Sequence, residues 1–213
     1  MSVCARPDVA ASVAILGRKM SSPTEADWIA AKRVIRYLKA TKTWRLTYDG
    51  VGEDLFGYSD ADWAGDIQTR KSTTGFIFYV SGGAVSWTSR KQSCVTLSSM
   101  ESEYVALSEA CQEMVWLRGL LEEINGQQMD AIKIFEDNQS CIRFVDSERS
   151  SRRSKHIETR KSYVKELCDN KVLELVYCPT DEMVADLLTK PLGNIKQNKF
   201  SGMMGLSVHR SDR

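Results

Sequence analysis

The order of the predicted strands and helices limits the fold of this chain more than any other feature of its sequence. Residues 46–48 and 55–58 are short β-prone runs, and 74–80 leads through Ser81-Gly82-Gly83 into 84–87, which is a hairpin signature. Helical and apolar strand patterns then alternate. The helices are predicted at 99–123, 139–145, 155–168 and from about 184, and the strands at 131–135 and 172–177. This order predicts an α/β fold in which helices pack on a mixed sheet.

The first 45 residues are predicted to form a helical appendage. Ser22-Pro23-Thr24-Glu25 has the pattern of a capping box with proline at the first helical position. The helix that follows has an apolar stripe, which we expect to pack on the sheet, and a basic side, which is either solvated or in contact with phosphates. The stripe contains Trp28, Ala31, Ile35 and Leu38, and the basic side contains Lys32, Arg33, Arg36 and Lys39.

The composition excludes several classes of protein. The 29 Lys and Arg residues and 28 Asp and Glu residues give a net charge of +1, so affinity for nucleic acid has to come from local basic patches. The apolar stretch 9–17 is about half as long as a membrane span and lacks the flanks of a signal peptide. The six cysteines form no CxxC pair, which favours free thiols in a reducing compartment. With only His156 and His209, a three-histidine zinc site is excluded, and carboxylates are the expected catalytic groups.

Four acidic residues fall at the ends of predicted elements. Asp60 and Asp137 end strands, Glu103 lies in the first turns of the long helix, and Asp186 opens the last helix. Carboxylates gathered at such an edge repel one another unless divalent cations neutralise them. Two Mg²⁺ ions about 3.5–4 Å apart would give a two-metal phosphodiester hydrolase. The alternative is chance, because 28 acidic residues place some at strand ends anyway.

Periodicity decides one of two ambiguities among these acids. Glu103 shares its helical stripe with apolar residues such as Leu107 and Met114, so it is expected to point toward the sheet, whereas Glu101 lies on a more polar side. Strand alternation puts Asp60 and Asp62 on the same face and leaves the choice between them open.

The local sequences around these acids resemble the four active-site motifs of the ribonuclease H domain of copia-type retrotransposon polyproteins. The four segments are 57–65 (GYSDADWAG), 96–107 (TLSSMESEYVAL), 134–139 (IFEDNQ) and 178–190 (CPTDEMVADLLTK). The resemblance also includes 70–79, 87–92 and 155–160, and 6–17 and 23–48 look like the end of the reverse transcriptase. It covers roughly residues 5–200.

The resemblance implies a ribonuclease H-like mixed five-stranded sheet flanked by helices. Residues 1–45 would be the end of the reverse transcriptase, 46–195 the ribonuclease H domain and 196–213 a C-terminal tail. Asp60, which the family motif favours over Asp62, would bridge two metals. Glu103 and Asp137 would bind the metal on the leaving-group side, and Asp186 the metal on the water side.

The implied activity is metal-dependent cleavage of the RNA strand of RNA–DNA hybrids during reverse transcription, with two Mg²⁺ ions that Mn²⁺ can replace. The implied partners are the hybrid and the reverse transcriptase portion of the same polyprotein, with no membrane, and the implied location is the cytoplasm, in the retrotransposon particle, or the nucleus. A catalytically silent hybrid-binding module of a captured retroelement is the alternative. An integrase or transposase of the same fold would use three acids rather than four.

Substrate contacts are also implied. Ser98, Ser99 and Gln139 match positions that touch the hybrid, although Ser98 could equally cap the helix. Arg90 and Lys91 are candidate phosphate contacts. A second basic cluster is either a phosphate clamp or a solvated loop, and it contains Arg149, Arg152, Arg153, Lys155, Arg160 and Lys161. His156 matches a family motif with no assigned role. The segment 178–182 lacks the histidine that many ribonucleases H carry there.

Overall fold

The computed structural model describes residues 2, 4–48, 50, 55–147 and 155–208, with only the backbone of residues 155 and 156. A short 3₁₀ helix at Pro7–Val9 precedes the first α-helix. The strands are β1 (Trp44–Leu46), β2 (Phe56–Asp62), β3 (Thr73–Val80), β4 (Gly83–Lys91), β5 (Ile132–Glu136), β6 (Leu173–Tyr177) and β7 (Leu206–Val208). The helices are α1 (Ala10–Gly17), α2 (Glu25–Ala40), α3 (Ser99–Asn125), α4 (Gln139–Asp146), α5 (Lys155–Asp169), α6 (Asp186–Thr189) and α7 (Asn194–Met203).

Five strands form the central sheet in the order β4-β3-β2-β5-β6. The pairs β2–β3 and β3–β4 are antiparallel, and the pairs β2–β5 and β5–β6 are parallel. Ser81 and Gly82 join β3 to β4 with positive φ values of 53° and 80°, as the two central residues of a tight hairpin turn require. The predicted mixed five-stranded sheet flanked by helices is therefore confirmed.

The two faces of the sheet bury separate apolar cores. Phe76 and Phe78 of β3 face the core that includes the long helix α3, and Ile77 and Tyr79 between them face the core that includes α6 and α7. This alternation is the two-residue period of a strand that is covered on both faces. The sheet is thus the middle layer, and its edge near the end of β2 is where α3 and α6 approach from opposite sides.

The two ends of the chain pack together. β1 pairs with β7 in antiparallel register, so the predicted β-prone run near residue 46 pairs with the C-terminal part rather than with the central sheet. A buried network ties the same parts: Arg6 donates to both carboxylate oxygens of Asp8, and Gln197 donates to the Asp8 carbonyl. The domain boundaries stay a prediction, but residues 194–208, most of which were expected to be a tail, form α7 and β7 of a packed unit.

Helix α2 differs from its prediction at both its start and its face. Its N-cap is Thr24, whose hydroxyl accepts from the backbone of Asp27, so Pro23 precedes the cap instead of opening the helix. The apolar stripe faces α1 rather than the sheet and lines an open groove of about 730 Å³. Trp28 and Ile35 are each 60% exposed, so the expected packing of this stripe on the sheet is wrong. An amphipathic pattern identifies a face and not the partner of that face.

Two expected properties of the chain can be compared with the described residues. No helix there is long and apolar enough to cross a membrane. The six cysteines are all free thiols.

Candidate metal centre

Three of the four predicted acids meet at one edge of the sheet. Asp60, Glu103 and Asp137 each place a carboxylate oxygen so that the three atoms lie within 4.8 Å of one another. Strands β2 and β5 are adjacent and parallel, and continuing the pairing of Tyr58 with Phe135 by two residues sets Asp60 beside Asp137. Asp60 and Glu103 are buried and Asp137 is partly exposed. The cluster is therefore open to solvent on the side of Asp137.

Asp60 rather than Asp62 joins the cluster, as the family motif favours. Asp62, two residues further along β2, is partly exposed and lines a different cavity, together with Arg18 and Asp66. Opposite Asp60 on β3 is Gly75, where a Cβ atom would lie 2.6 Å from the Thr189 side chain. The glycine allows α6 to cross β3 at close range, which brings residues of α6 to Asp60.

The position of Glu103 on α3 confirms the predicted helical phase. One of its carboxylate oxygens, Oε2, is buried and has no hydrogen-bond partner among the described residues. Glu101 has a different task, because its Oε2 accepts from the Leu97 backbone at 2.8 Å while Ser98 accepts from the Glu101 backbone at 3.2 Å. Glu101 thus caps the helix with Ser98. The expectation of a polar side there is wrong, since Glu101, Val105 and Ser108 are all buried.

Glu136 is a buried acid of this region that the sequence prediction missed. It is fully buried at the end of β5, where its Oε1 accepts from the Asn138 backbone at 3.1 Å. Its Oε2 has no hydrogen-bond partner within the described part of the chain. The signal was in the strand pattern: residues 132, 134 and 136 share the core-facing side of β5, and a glutamate on that side has to be buried.

Burial and mutual repulsion control the charge of these acids. Burial raises the pKa of Asp60 to about 7, with Lys190 opposing the rise and Asp186 adding to it. Burial, followed by the charges of Glu136 and Asp60, holds the pKa of Glu103 well above its usual range, and burial does the same for Glu136. Carboxylates that repel one another, with one buried oxygen of Glu103 unpaired, form a donor set that fits a divalent cation.

Asp186, the fourth acid, is buried beside the cluster but outside the three-acid group. It is the first residue of α6, and its Oδ1 lies 2.7 Å from Lys190 Nζ. One turn of α6 also brings the Thr189 hydroxyl to Asp60 Oδ2, to which it donates a hydrogen bond. The structure therefore brings Asp186 next to the other acids, where it forms an ion pair with the partly exposed Lys190.

The loop that follows β6 reaches the cluster. Thr180 donates from its hydroxyl to Asp137 Oδ2 at 2.7 Å. The segment 178–182 contains no histidine, and its threonine makes the contact to the acid. The sequence offered no signal for it, since residues 137 and 180 are 43 positions apart.

The predicted substrate contacts are mostly engaged elsewhere in the protein. Ser98 caps α3, Ser99 is exposed beside it, and exposed Gln139 accepts from Arg143 at 3.0 Å. Arg90 pairs with Glu109 at 3.0 Å, and Lys91 with Asp66 at 3.3 Å. The contact of these residues with the hybrid therefore remains a prediction. For Ser98, the structure shows a structural role, which is to cap α3.

The second basic cluster is only partly described. Arg160 donates to the Ser108 hydroxyl at 2.6 Å, and Lys161 donates to the Ser147 carbonyl at 2.5 Å and lies over the Phe144 ring. Both side chains thus hold α5 against its neighbours. The predictions for Arg149, Arg152 and Arg153, and for the side chains of Lys155 and His156, fall outside the described residues.

Comparison with known proteins gives similarities over most of the chain. No protein-family model matches it. The chain is 40% identical over 198 residues to the "Retrovirus-related Pol polyprotein from transposon TNT 1-94" of Nicotiana tabacum. The matched region covers 93% of this chain but only 15% of the relative. It is 53% identical over 118 residues to "Secreted RxLR effector protein 161" of Plasmopara viticola, covering 55% of this chain and 83% of that protein.

Among solved structures, the crystal structure of LC11-RNase H1 in complex with RNA/DNA hybrid aligns with 64% of this chain and 94% of that protein. The TM-score is 0.47 and the sequence identity is 14%.

Proposed function

The chain belongs to the copia-type Pol polyproteins of retrotransposons, and we propose that it is a ribonuclease H that cleaves the RNA strand of RNA–DNA hybrids during reverse transcription. The observation that carries the proposal is the cluster of Asp60, Glu103 and Asp137 within 4.8 Å, beside buried Asp186. A structural core has no use for so many buried acids, because each one costs free energy unless it is neutralised.

The four acids have the ligand chemistry that Mg²⁺ or Mn²⁺ requires. Oxygen donors from carboxylates are the ligands that these hard cations prefer. Asp60, Glu103, Asp137 and Asp186 would hold the ions, and the bound ions would supply an activated water and stabilise the leaving oxygen. The unpaired Oε2 of Glu103 is the observation that supports this fit, since a buried oxygen without a partner is costly.

The surrounding residues prepare the acids for this task. Thr180 fixes one oxygen of Asp137, and Thr189 fixes one oxygen of Asp60, so each carboxylate keeps the other oxygen available. The backbone of Asn138 fixes one oxygen of Glu136 directly behind the cluster. Side chains held in this way lose little freedom when a ligand binds, which favours a preorganised site.

Further parts of the proposal concern partners and place. The substrate-contact residues would be Ser98, Ser99, Gln139, Arg90, Lys91, Lys155 and His156. The partner would be the reverse transcriptase portion of the same polyprotein, since the chain spans only about 15% of the Pol relative. The place would be the retrotransposon particle in the cytoplasm, or the nucleus.

The test of substrate class is cleavage of matched duplexes by the full chain. Labelled RNA–DNA hybrid, double-stranded DNA and double-stranded RNA of one sequence are incubated with Mg²⁺ and, separately, with a chelator. We expect cuts in the RNA strand of the hybrid alone, and binding that weakens steeply between low and physiological salt, because phosphate contacts dominate affinity.

Equal cutting of hybrid and double-stranded DNA would contradict the assigned substrate. Tight hybrid binding without any cut would support the alternative, a captured module that grips hybrids and does not cleave them. Asp60→Asn serves as the control in both cases, because it removes one predicted ligand and is expected to keep the fold.

A further inference from the structure

Lys190 is a cation at the metal centre to which the sequence prediction gave no role. Its ammonium lies 2.7 Å from Asp186 Oδ1, and its side chain is 37% exposed whereas that of Asp186 is 2% exposed. The lysine therefore reaches from the surface to a carboxylate that is cut off from water. Exposed pairs of this i,i+4 type contribute little to stability, but removing one member of a buried pair strands a charge.

The turn that carries Lys190 also contacts a second acid of the cluster. Thr189, the residue before Lys190, donates from its hydroxyl to Asp60 Oδ2. One short segment therefore brings a positive charge to Asp186 and a hydrogen bond to Asp60.

The backbone around Lys190 is fixed by packing. Lys190 directly follows α6, whose Leu187 and Leu188 are buried in the core beneath the sheet. The absence of a side chain at Gly75 lets this turn lie against β3. The ammonium is therefore placed by the same short helix that presents Asp186 and Thr189 to the site.

We propose that Lys190 is a positioning residue of the metal centre: it holds Asp186 and offsets the negative charge of the cluster before a metal ion arrives, and it sets how tightly that ion then binds. The proposal rests on the proposed function only in taking the acids as metal ligands. It assigns Lys190 no contact with the substrate.

The same positive charge has two opposite effects. Without metal, it stabilises the folded chain by neutralising a buried carboxylate. Toward an incoming divalent cation, it acts by repulsion. Removing a unit charge a few ångström from a divalent ion, in a medium as polar as water, changes affinity about tenfold. A lysine that merely supported the fold would change stability and leave metal affinity unaltered.

The experiment measures Mn²⁺ binding by titration calorimetry and metal-free thermal melting, on the full chain without nucleic acid. The variants are Lys190→Met, Lys190→Gln and Lys190→Arg. The matched control is Lys196→Met, which removes the same charge from an exposed pair with Asp181, 2.9 Å long. Lys190→Met and Lys190→Gln should bind Mn²⁺ about tenfold more tightly and melt about 5 °C lower without metal. Lys190→Arg and Lys196→Met should match the wild type in both measurements.

A double variant keeps the proposal testable if neutral variants at position 190 fold poorly. Asp186→Asn combined with Lys190→Met removes both charges, so the melting temperature lost in Lys190→Met should be largely regained. Unchanged or weaker Mn²⁺ binding in the neutral variants, or no regain in the double variant, overturns the role of Lys190. A wild-type chain that binds no Mn²⁺ instead overturns the proposed metal-dependent function itself, so the two failures are distinguishable.

Discussion

The acid cluster and helix α2 depart from the usual distribution of polar and apolar groups in opposite directions. At the cluster, the protein buries Asp60, Glu103 and Glu136, whereas along α2 it leaves Trp28 and Ile35 60% exposed. Both regions had a clear sequence pattern. Three of the four predicted acids came together because strand ends and helix starts share one edge of the sheet, while the stripe of α2 could have faced any apolar surface. A sequence pattern that also indicates where the contacting residues lie, as at the acid cluster, is therefore more informative than an amphipathic pattern, which identifies only the apolar face of a helix.

The largest expected effect separates activity from stability at the acid cluster. Asp60→Asn and Asp137→Asn should each lower the rate of hybrid cleavage about a thousandfold or more, because each removes a ligand on which several kcal/mol of catalysis depend. The metal-free melting temperature should stay equal or rise slightly, since one repulsive charge is gone. Cleavage assays and chelator-treated melts measure the two quantities. A marked drop in melting temperature together with retained cleavage would mean that these acids support the fold and not the reaction.

A pair of leucine and isoleucine variants tests the difference in burial directly. Leu117→Ala in α3 should lower the free energy of unfolding by about 2–5 kcal/mol, because it opens a cavity in the core. Ile35→Ala on the exposed stripe of α2 should change it by less than about 0.5 kcal/mol. Chemical denaturation of both variants makes the comparison. Similar losses in the two would show that the stripe of α2 is packed in solution.

The pH dependence of stability should carry the signature of the buried acids. The pKa of Asp60 is about 7 in the folded chain and near 4 in the unfolded chain. Between pH 4 and pH 7, the folded chain therefore holds a proton on Asp60 that the unfolded chain has lost. The contribution of Asp60 to stability is therefore largest below pH 4, and this contribution is lost as the pH rises toward 7. Metal-free melts from pH 5 to pH 8 should show a steeper fall for the wild type than for Asp60→Asn. Parallel curves would contradict the assignment.

The smallest effect is expected at the loop after β6. Thr180→Ala removes the hydrogen bond to Asp137 and should slow cleavage by about two- to tenfold, the usual net value of one such bond. Thr180→Ser keeps the hydroxyl and should restore the rate. Steady-state cleavage of the hybrid measures both variants, and a serine variant as slow as alanine would rule out the hydrogen bond as the cause.

Features that depend on residues close together in the sequence could be predicted, whereas contacts between distant residues could not. The hairpin at Ser81 and the helical phase of Glu103 are local, and local periodicity predicted both correctly. The hydrogen bonds of Thr180 to Asp137 and of Thr189 to Asp60 join positions 43 and 129 residues apart. Contacts of that kind depend on the assembled sheet, so no motif in the chain announced them. Lys190 lies between these local and long-range cases. Its partner Asp186 is only four residues away in sequence, but the importance of the pair depends on the burial of Asp186 in the folded chain.

The same reasoning explains the errors at the ends of the chain. Residues 196–213 were expected to form a C-terminal tail, yet β7 pairs with β1 and α7 buries Phe200. The partner strand lies about 160 residues earlier, and a three-residue strand has too short a pattern to be recognised. Glu136, in contrast, could have been found by applying strand alternation to β5, just as helical periodicity was applied to α3.

The central claim is that a cluster of acids around Asp60 is a metal centre for hybrid cleavage, and a matched pair on one helix tests it most directly. The rate of RNA cleavage in a labelled hybrid is measured with Mg²⁺ and with chelator for the wild type, Glu103→Gln and Glu101→Gln. We expect metal-dependent cleavage by the wild type, none by Glu103→Gln, and a rate within a few fold of the wild type for Glu101→Gln, whose amide oxygen can still cap the helix. Cleavage that survives Glu103→Gln or the chelator would contradict the account.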